Sequence, residues 1–207
     1  MSFFILRKVR KTGSLFFVLW VLLNALGAAI GYGIAELAVM KSAGRLSWLF
    51  SAFLYSAVLG VTLGMMQWLV LRRWIPGSKG WIAATIAGGA LSGFFLTAVY
   101  QTLDLTVSLG VFGLAIGITQ LFVLWRSLRL AGLWPVVSAL SWWSGALIAQ
   151  YFDQVIFRPD HVTGALSFLL VCLFHGLSGF FSSILTGLAL RWMLLLKKAR
   201  QAQQEHY

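Results

Sequence analysis

The chain has 207 residues, 60% hydrophobic and only 10% charged, with a mean hydropathy of +0.88. Soluble domains carry about 25% charged residues, so the composition excludes an ordinary soluble fold and points to a single all-α integral membrane domain, residues 1–207. The net charge of +11 would suggest nucleic acid in a soluble protein; here the cations cluster beside apolar runs, a pattern that encodes topology, attracts anionic membrane lipids and implies no nucleic-acid partner.

The N-terminus carries Arg7, Lys8, Arg10 and Lys11 ahead of an apolar run, 15–38. The order resembles a signal peptide, but the run exceeds the ~7–15 residues of a signal h-region. It is therefore expected to stay as a first span. A spanning helix needs about 20 mostly apolar residues, and the runs 48–71, 81–103, 107–125, 134–152 and 167–195 also qualify. Six transmembrane helices are predicted, with short basic tails at 1–13 and 197–207. The last run is the longest and is expected to tilt or to project from the bilayer.

Thirteen of the sixteen cations fall on one side. They are the four N-terminal ones, then Arg72, Arg73 and Lys79, then Arg126 and Arg129, then Arg191, Lys197, Lys198 and Arg200. Lys41, Arg45 and Arg158 fall on the other. The positive-inside rule then predicts both termini in the cytoplasm. Glu36, Asp104, Asp153 and Asp160 fall on the outer side. Trp20, Trp74, Trp81, Trp125, Trp134 and Trp192 read as an aromatic belt at the cytoplasmic interface. Trp142 and Trp143 lie deeper and read as packing residues.

An internal repeat organises these runs. Gly60-x3-Gly64-x2-Gln67-x3-Leu71 recurs 53 residues later as Gly113-x3-Gly117-x2-Gln120-x3-Leu124, and in degenerate form as Gly179-x3-Ser183-x2-Thr186-x3-Leu190. The odd-numbered helices share Trp20-x3-Asn24-x2-Gly27-x3-Gly31, Trp81-x3-Thr85-x2-Gly88-x3-Ser92 and Trp134-x3-Ser138-x2-Ser141-x3-Gly145. Two complete hairpins, 2–3 and 4–5, follow, and helices 6 and 1 form a third if they meet. A pseudo-threefold bundle about the membrane normal is therefore predicted, unlike the inverted repeats of many transporters.

Positions i, i+4, i+7 and i+11 share one helix face. Gly60, Gly64, Gly113, Gly117, Gly179, Gly27 and Gly31 on such stripes are expected to let helix backbones approach. Gln67, Gln120, Thr186, Asn24, Thr85 and Ser138 each stand four residues from the boundary residue of their motif. All six are expected at one depth, about 6 Å inside the cytoplasmic boundary. They read as a hydrogen-bonded polar layer, with a water-filled vestibule as the alternative.

The residues Gly64, Gln67, Trp68, Val70, Leu71, Arg72 and Trp81, then Gly117, Gln120, Val123, Leu124, Arg126 and Trp134, carry a resemblance. The chain resembles a loosely defined group of multi-pass bacterial membrane proteins with repeats of the form G-x-x-Q-W-x-V-L-R followed by W, common in photosynthetic bacteria. Leu121 departs from that pattern, and the third copy lacks the Gln. The resemblance implies the architecture and a bacterial inner membrane, or a thylakoid, but no activity.

Catalytic chemistry finds little support. Gly176-Leu177-Ser178-Gly179 matches the GxSG of rhomboid proteases, but His175 is on the same helix and His206 lies in the tail, so neither serves as the base. Gly179 is already explained as a repeat position. His175 is the only imidazole expected within the membrane; a haem or chlorophyll ligand is one reading and a hydrogen bond to a neighbouring helix the other. Gln101-x2-Asp104 and Gln150-x2-Asp153 fall at the outer ends of helices 3 and 5. With Glu36 and Asp160 they form a weakly acidic rim that reads as solvated helix ends, with attraction of cations as the alternative. There is no HExxH, P-loop or dinucleotide fingerprint and no metal site. The expectation is a non-enzymatic accessory or scaffold subunit binding membrane partners, lipid or pigment, with a small-solute channel or facilitator as the alternative.

Overall fold

The structure is a computed structural model that describes residues 3–41, 47–99, 104–156 and 165–204. Among them are six α-helices and no strand: α1 (Phe3–Lys41), α2 (Trp48–Leu71), α3 (Trp81–Val99), α4 (Leu105–Leu124), α5 (Trp134–Ile156) and α6 (Ala165–Gln204). Five stretches are long and apolar enough to cross a membrane, Gly13–Ala38, Leu49–Leu71, Thr106–Leu124, Ala131–Phe152 and Phe168–Gln204. The chain is thus a multi-pass membrane protein. The remaining helix, α3, has 19 described residues, and the end of the run expected there, 100–103, lies outside the described residues.

Local chemistry sets the helix ends. The Ser47 side chain accepts from the Phe50 amide and caps α2, satisfying one of the donors a helix start leaves open. Pro135 sits in the first turn of α5, where its missing N–H costs nothing. Between α2 and α3 the chain turns through Pro76 and Gly77, the latter at φ 81°, a left-handed geometry that glycine adopts without strain. Each of the two basic connections ends in a 3₁₀ turn, Ser78–Gly80 and Ala131–Leu133, that feeds directly into the tryptophan opening the next helix.

The basic segments at 3–13 and 197–204 are helical continuations of α1 and α6. The two helices have 39 and 40 residues, about 60 Å each at 1.5 Å per residue. That is about twice the thickness of a bilayer core. Lys and Arg are good helix formers, so a charged stretch need not end a helix.

The helices pack as a ring in chain order, and α6 closes it against α1. The pairs α2–α3, α4–α5 and α6–α1 are the more extensive interfaces, and α1–α2, α3–α4 and α5–α6 the lesser ones. Small residues permit the close pairs. A Cβ on Gly60 would stand 2.8 Å from the Thr85 carbonyl oxygen, one on Gly113 2.6 Å from that of Ser138, and one on Gly179 3.2 Å from that of Asn24. Gly64 and Gly117 face the Cα atoms of Ile82 and Pro135 in the same way. Gly27 and Gly31 instead face α2, at the Thr62 carbonyl and the Leu59 Cα.

Two buried clusters fill the ring. Phe16, Leu71, Ile75, Leu124, Leu128, Leu190 and Met193, with three tryptophans, form one at the end where α1 begins and α6 finishes. This cluster gathers the α2–α3 and α4–α5 connections at that end, so their cations share it with those of α6. Tyr32, Leu59, Leu63, Phe112, Ile116 and Trp142 form the other.

Candidate functional site

The middle of the ring holds a hydrogen-bonded layer built from helix positions that recur along the chain. Gln67 on α2 accepts from the Trp81 indole Nε1 at 2.8 Å and donates its Nε2 to the Asn24 Oδ1 at 2.7 Å. Gln120 on α4 accepts from the Trp134 Nε1 at 2.9 Å. Its Nε2 donates to the Thr85 Oγ1 at 2.9 Å and to the Gln67 Oε1 at 3.0 Å. On α6 Thr186 takes the corresponding role, its Oγ1 accepting from the Trp20 Nε1 at 3.1 Å. In turn Asn24 and Thr85 donate to the carbonyls of Trp20 and Trp81, one turn back, at 2.8 Å each.

All six polar residues expected in the layer are buried. Hydrogen bonds link Asn24, Gln67, Thr85 and Gln120 into one chain across α1 to α4. Thr186 joins α6 to α1 through Trp20. Ser138 lines the same small cavity as Gln120 and Thr186 and is backed by Gly113 and Gly117. That cavity measures about 10 Å³, room for about one water. Every amide atom that bonds here does so inside the ring, where an unmet donor would be costly.

The tryptophans correct the sequence reading. Trp20, Trp81 and Trp134 do not belong to an interfacial belt; they are almost wholly buried, 0%, 0% and 1% exposed. Their rings meet one another at 6.4, 6.5 and 6.1 Å between centroids, tilted by 58–74°. An indole is a large apolar body with one donor, and here the body closes the ring while the donor goes to the polar layer. Trp125 and Trp192 are exposed at 69% and 50%, as a belt residue is. A signal for the buried set was present in the sequence. A tryptophan opens every odd-helix motif four residues before the polar position, and so shares its face.

The remaining candidates separate from this layer. His175 stacks flat on Tyr32, with centroids 3.5 Å apart and planes 4° from parallel, and Tyr32 meets Tyr55 edge-on at 5.5 Å. The His175 Nδ1 and the Ser178 Oγ are both buried without a hydrogen-bond partner, so the two are not paired as a base and nucleophile would be. Asp104 does not end the third helix. It caps α4, its carboxylate accepting from the Thr106 amide at 3.3 Å. Gln101 and Asp160 lie outside the described residues, as does the side chain of Asp153. Trp142 is buried edge-on against Phe112 at 5.0 Å, whereas Trp143 is 43% exposed. Among the described residues no group of three or more His, Cys, Asp or Glu is placed to hold a metal ion.

Comparison with protein-family models, with curated proteins and with solved structures finds no match for the chain.

Proposed function

We propose that the chain is a non-enzymatic scaffold or accessory subunit, a six-span bundle of three two-helix repeats that offers its outer surface to partner proteins and lipid. The observation that carries this reading is the filled centre. Three mutually packed indoles and a chain of bonded amides occupy the axis and leave a cavity of about 10 Å³. A small-molecule site is ordinarily a concave pocket of about 300–1,000 Å³, and a conducting path needs a continuous polar lumen. Neither is compatible with this centre as it stands.

The equal spacing of the bonds supports the repeat. Trp81 to Gln67 and Trp134 to Gln120 are the same contact 53 residues apart, and Trp20 to Thr186 closes the third pair between the chain's two ends. In the connections, the amides of Ile75 and Leu128 bond the carbonyls of Leu71 and Leu124, both at 2.8 Å. The threefold reading fits the multi-pass bacterial proteins with G-x-x-Q-W-x-V-L-R hairpins. The shared basic end supports both termini in the cytoplasm of a bacterial inner membrane.

Gentle native purification with identification of co-purifying molecules tests the proposal. A reproducible protein partner supports it. Selective solute flux in liposomes containing the protein alone would overturn it in favour of a facilitator. Visible absorbance lost in His175→Ala would assign a pigment ligand to that imidazole.

A further inference from the structure

At the basic end, where α1 enters and α6 leaves, two hydrogen-bond donors are enclosed with nothing to donate to. The Trp74 indole Nε1 and the Arg191 Nε are both buried and neither has a partner. They line one cavity of about 20 Å³ together with Phe16, Leu194 and Lys198. Phe16 holds the Trp74 ring edge-on at 5.6 Å, and the Lys198 ammonium lies 5.4 Å from the ring centre. Buried donors in folded proteins are almost always matched, and an unmatched one is costly, more so on a charged group. Two on one cavity point to an acceptor that binds there.

Charge and size narrow the acceptor. Arg191 and Lys198 bring two positive charges to the cavity. Glu36, Asp104 and Asp153 belong to the opposite ends of their helices, so no acid on a described helix competes. The space takes one or two oxygen atoms, not a whole polyatomic anion. An acceptor group therefore dips one oxygen between Trp74 and Arg191 and keeps its other oxygens at the mouth, beside the exposed Lys198. Arg72, by contrast, lies over the Trp68 ring at 5.2 Å and lines no part of this cavity. A tetrahedral group with several anionic oxygens meets all of these conditions, and an Arg–Lys pair is an ordinary way to hold one.

We propose that this cavity binds a phosphoryl oxyanion, with the Trp74 and Arg191 N–H groups as its inner donors and Lys198 as its rim cation. The site stands on these donors and not on the scaffold reading, which survives or fails without it. Two sources share the chemistry, a phospholipid head group and free phosphate, and the test has an arm for each.

The full-length chain, stripped of lipid in a non-ionic detergent, is titrated with inorganic phosphate in one arm and with phosphatidylglycerol in mixed micelles in the other. Native mass spectrometry reads adducts, and thermal unfolding reads linkage. Binding in the phosphate arm alone names the free ion, and binding in the lipid arm names the head group. Lys198→Gln should weaken binding about fivefold, and Trp74→Phe, which keeps the ring and removes the donor, should weaken it too. Arg72→Gln removes a charge from the same end outside the cavity and should leave binding unchanged. Arg191→Gln tests the second donor, but the proposal does not depend on that variant folding. No binding in either arm would overturn the site. So would a loss in Arg72→Gln equal to that in Lys198→Gln, because diffuse charge would then suffice.

Discussion

Replacing Gln120 with leucine is the most direct test of what holds the ring together. The side chain is 1% exposed and makes three hydrogen bonds, from Trp134 and to Thr85 and Gln67, at 2.9, 2.9 and 3.0 Å. Hydrogen bonds between membrane helices average about 0.6 kcal/mol each and reach about 1.7, so three are worth about 2 kcal/mol. Leucine fills similar space but leaves the Trp134 indole N–H enclosed and unmatched, at a further cost of about 1–3 kcal/mol. The expected loss is about 3 kcal/mol, more than a hundredfold in the unfolding equilibrium. Reversible unfolding in detergent–lipid micelles by denaturant titration, followed by tryptophan emission, reads it. Gln67→Leu should cost a comparable amount. The double variant should cost less than the sum by about the worth of the one bond the two amides share, ~0.6 kcal/mol. Phe122→Leu, at a position 76% exposed, sets the background and should fall within about 0.5 kcal/mol of the parent. A Gln120→Leu protein as stable as the parent would refute the structural role of the layer and return the amides to a solvated vestibule.

Two further outcomes follow from the packing. A Cβ built on Gly176 lies 3.2 Å from the Ala29 Cβ, a few tenths of an ångström inside the usual disulfide spacing. With a small backbone adjustment, Ala29→Cys with Gly176→Cys, in a Cys172→Ser background, should form a disulfide under mild oxidation; a failure of that pair to crosslink in a folded protein would open the ring between α6 and α1. Gly113→Val pushes a branched side chain against the Ser138 backbone, 2.6 Å from its Cβ position, and should cost about 1–3 kcal/mol in the same unfolding assay, where an unchanged midpoint would refute the close approach of α4 and α5.

Some of this architecture is legible in the sequence because membrane helices write it at fixed spacing. The Gly60, Gly64 and Gln67 stripe and its copy at Gly113, Gly117 and Gln120 state a helix face, and a small face in a bilayer has little use except contact. What spacing does not state is which neighbour a face meets. Trp20, Trp81 and Trp134 stand beside basic connections, where the interfacial preference of tryptophan offers a ready and incorrect explanation. Their place four residues before a polar position hints at burial, and the tertiary pairing with Thr186, Gln67 and Gln120 separates them from the exposed Trp125 and Trp192. A carboxylate ending one apolar run and a carboxylate opening the next read alike in sequence, and the bond from the Thr106 amide puts Asp104 at the start of α4. No spacing rule links Tyr32 to His175, so their stack was invisible until α6 met α1.

The α6 sector of the layer lacks a bond that the α2 and α4 sectors make, and the lack can be reversed. Gln67 and Gln120 each accept an indole through Oε1 and donate through Nε2 to the odd helix of the neighbouring hairpin, at Asn24 and Thr85. Thr186 accepts the Trp20 indole, but its hydroxyl reaches back only to its own helix, at the Ser182 and Ser183 carbonyls at 3.3 Å each. The position across from it by the same rule is Ser138, and both residues line the cavity of about 10 Å³. Glutamine at 186 would keep the indole contact and extend an amide toward Ser138 and Gln120. The added atoms take up about the room of one water, and the cavity holds about one water. Thr186→Gln should therefore raise stability by about 0.6 to 1.2 kcal/mol, one or two added membrane hydrogen bonds. It should also slow deuterium exchange at the indole N–H groups of the layer. A loss of more than about 1 kcal/mol in the micelle unfolding assay is the signature of overpacking and would show that the α6 sector does not obey the geometry of the other two.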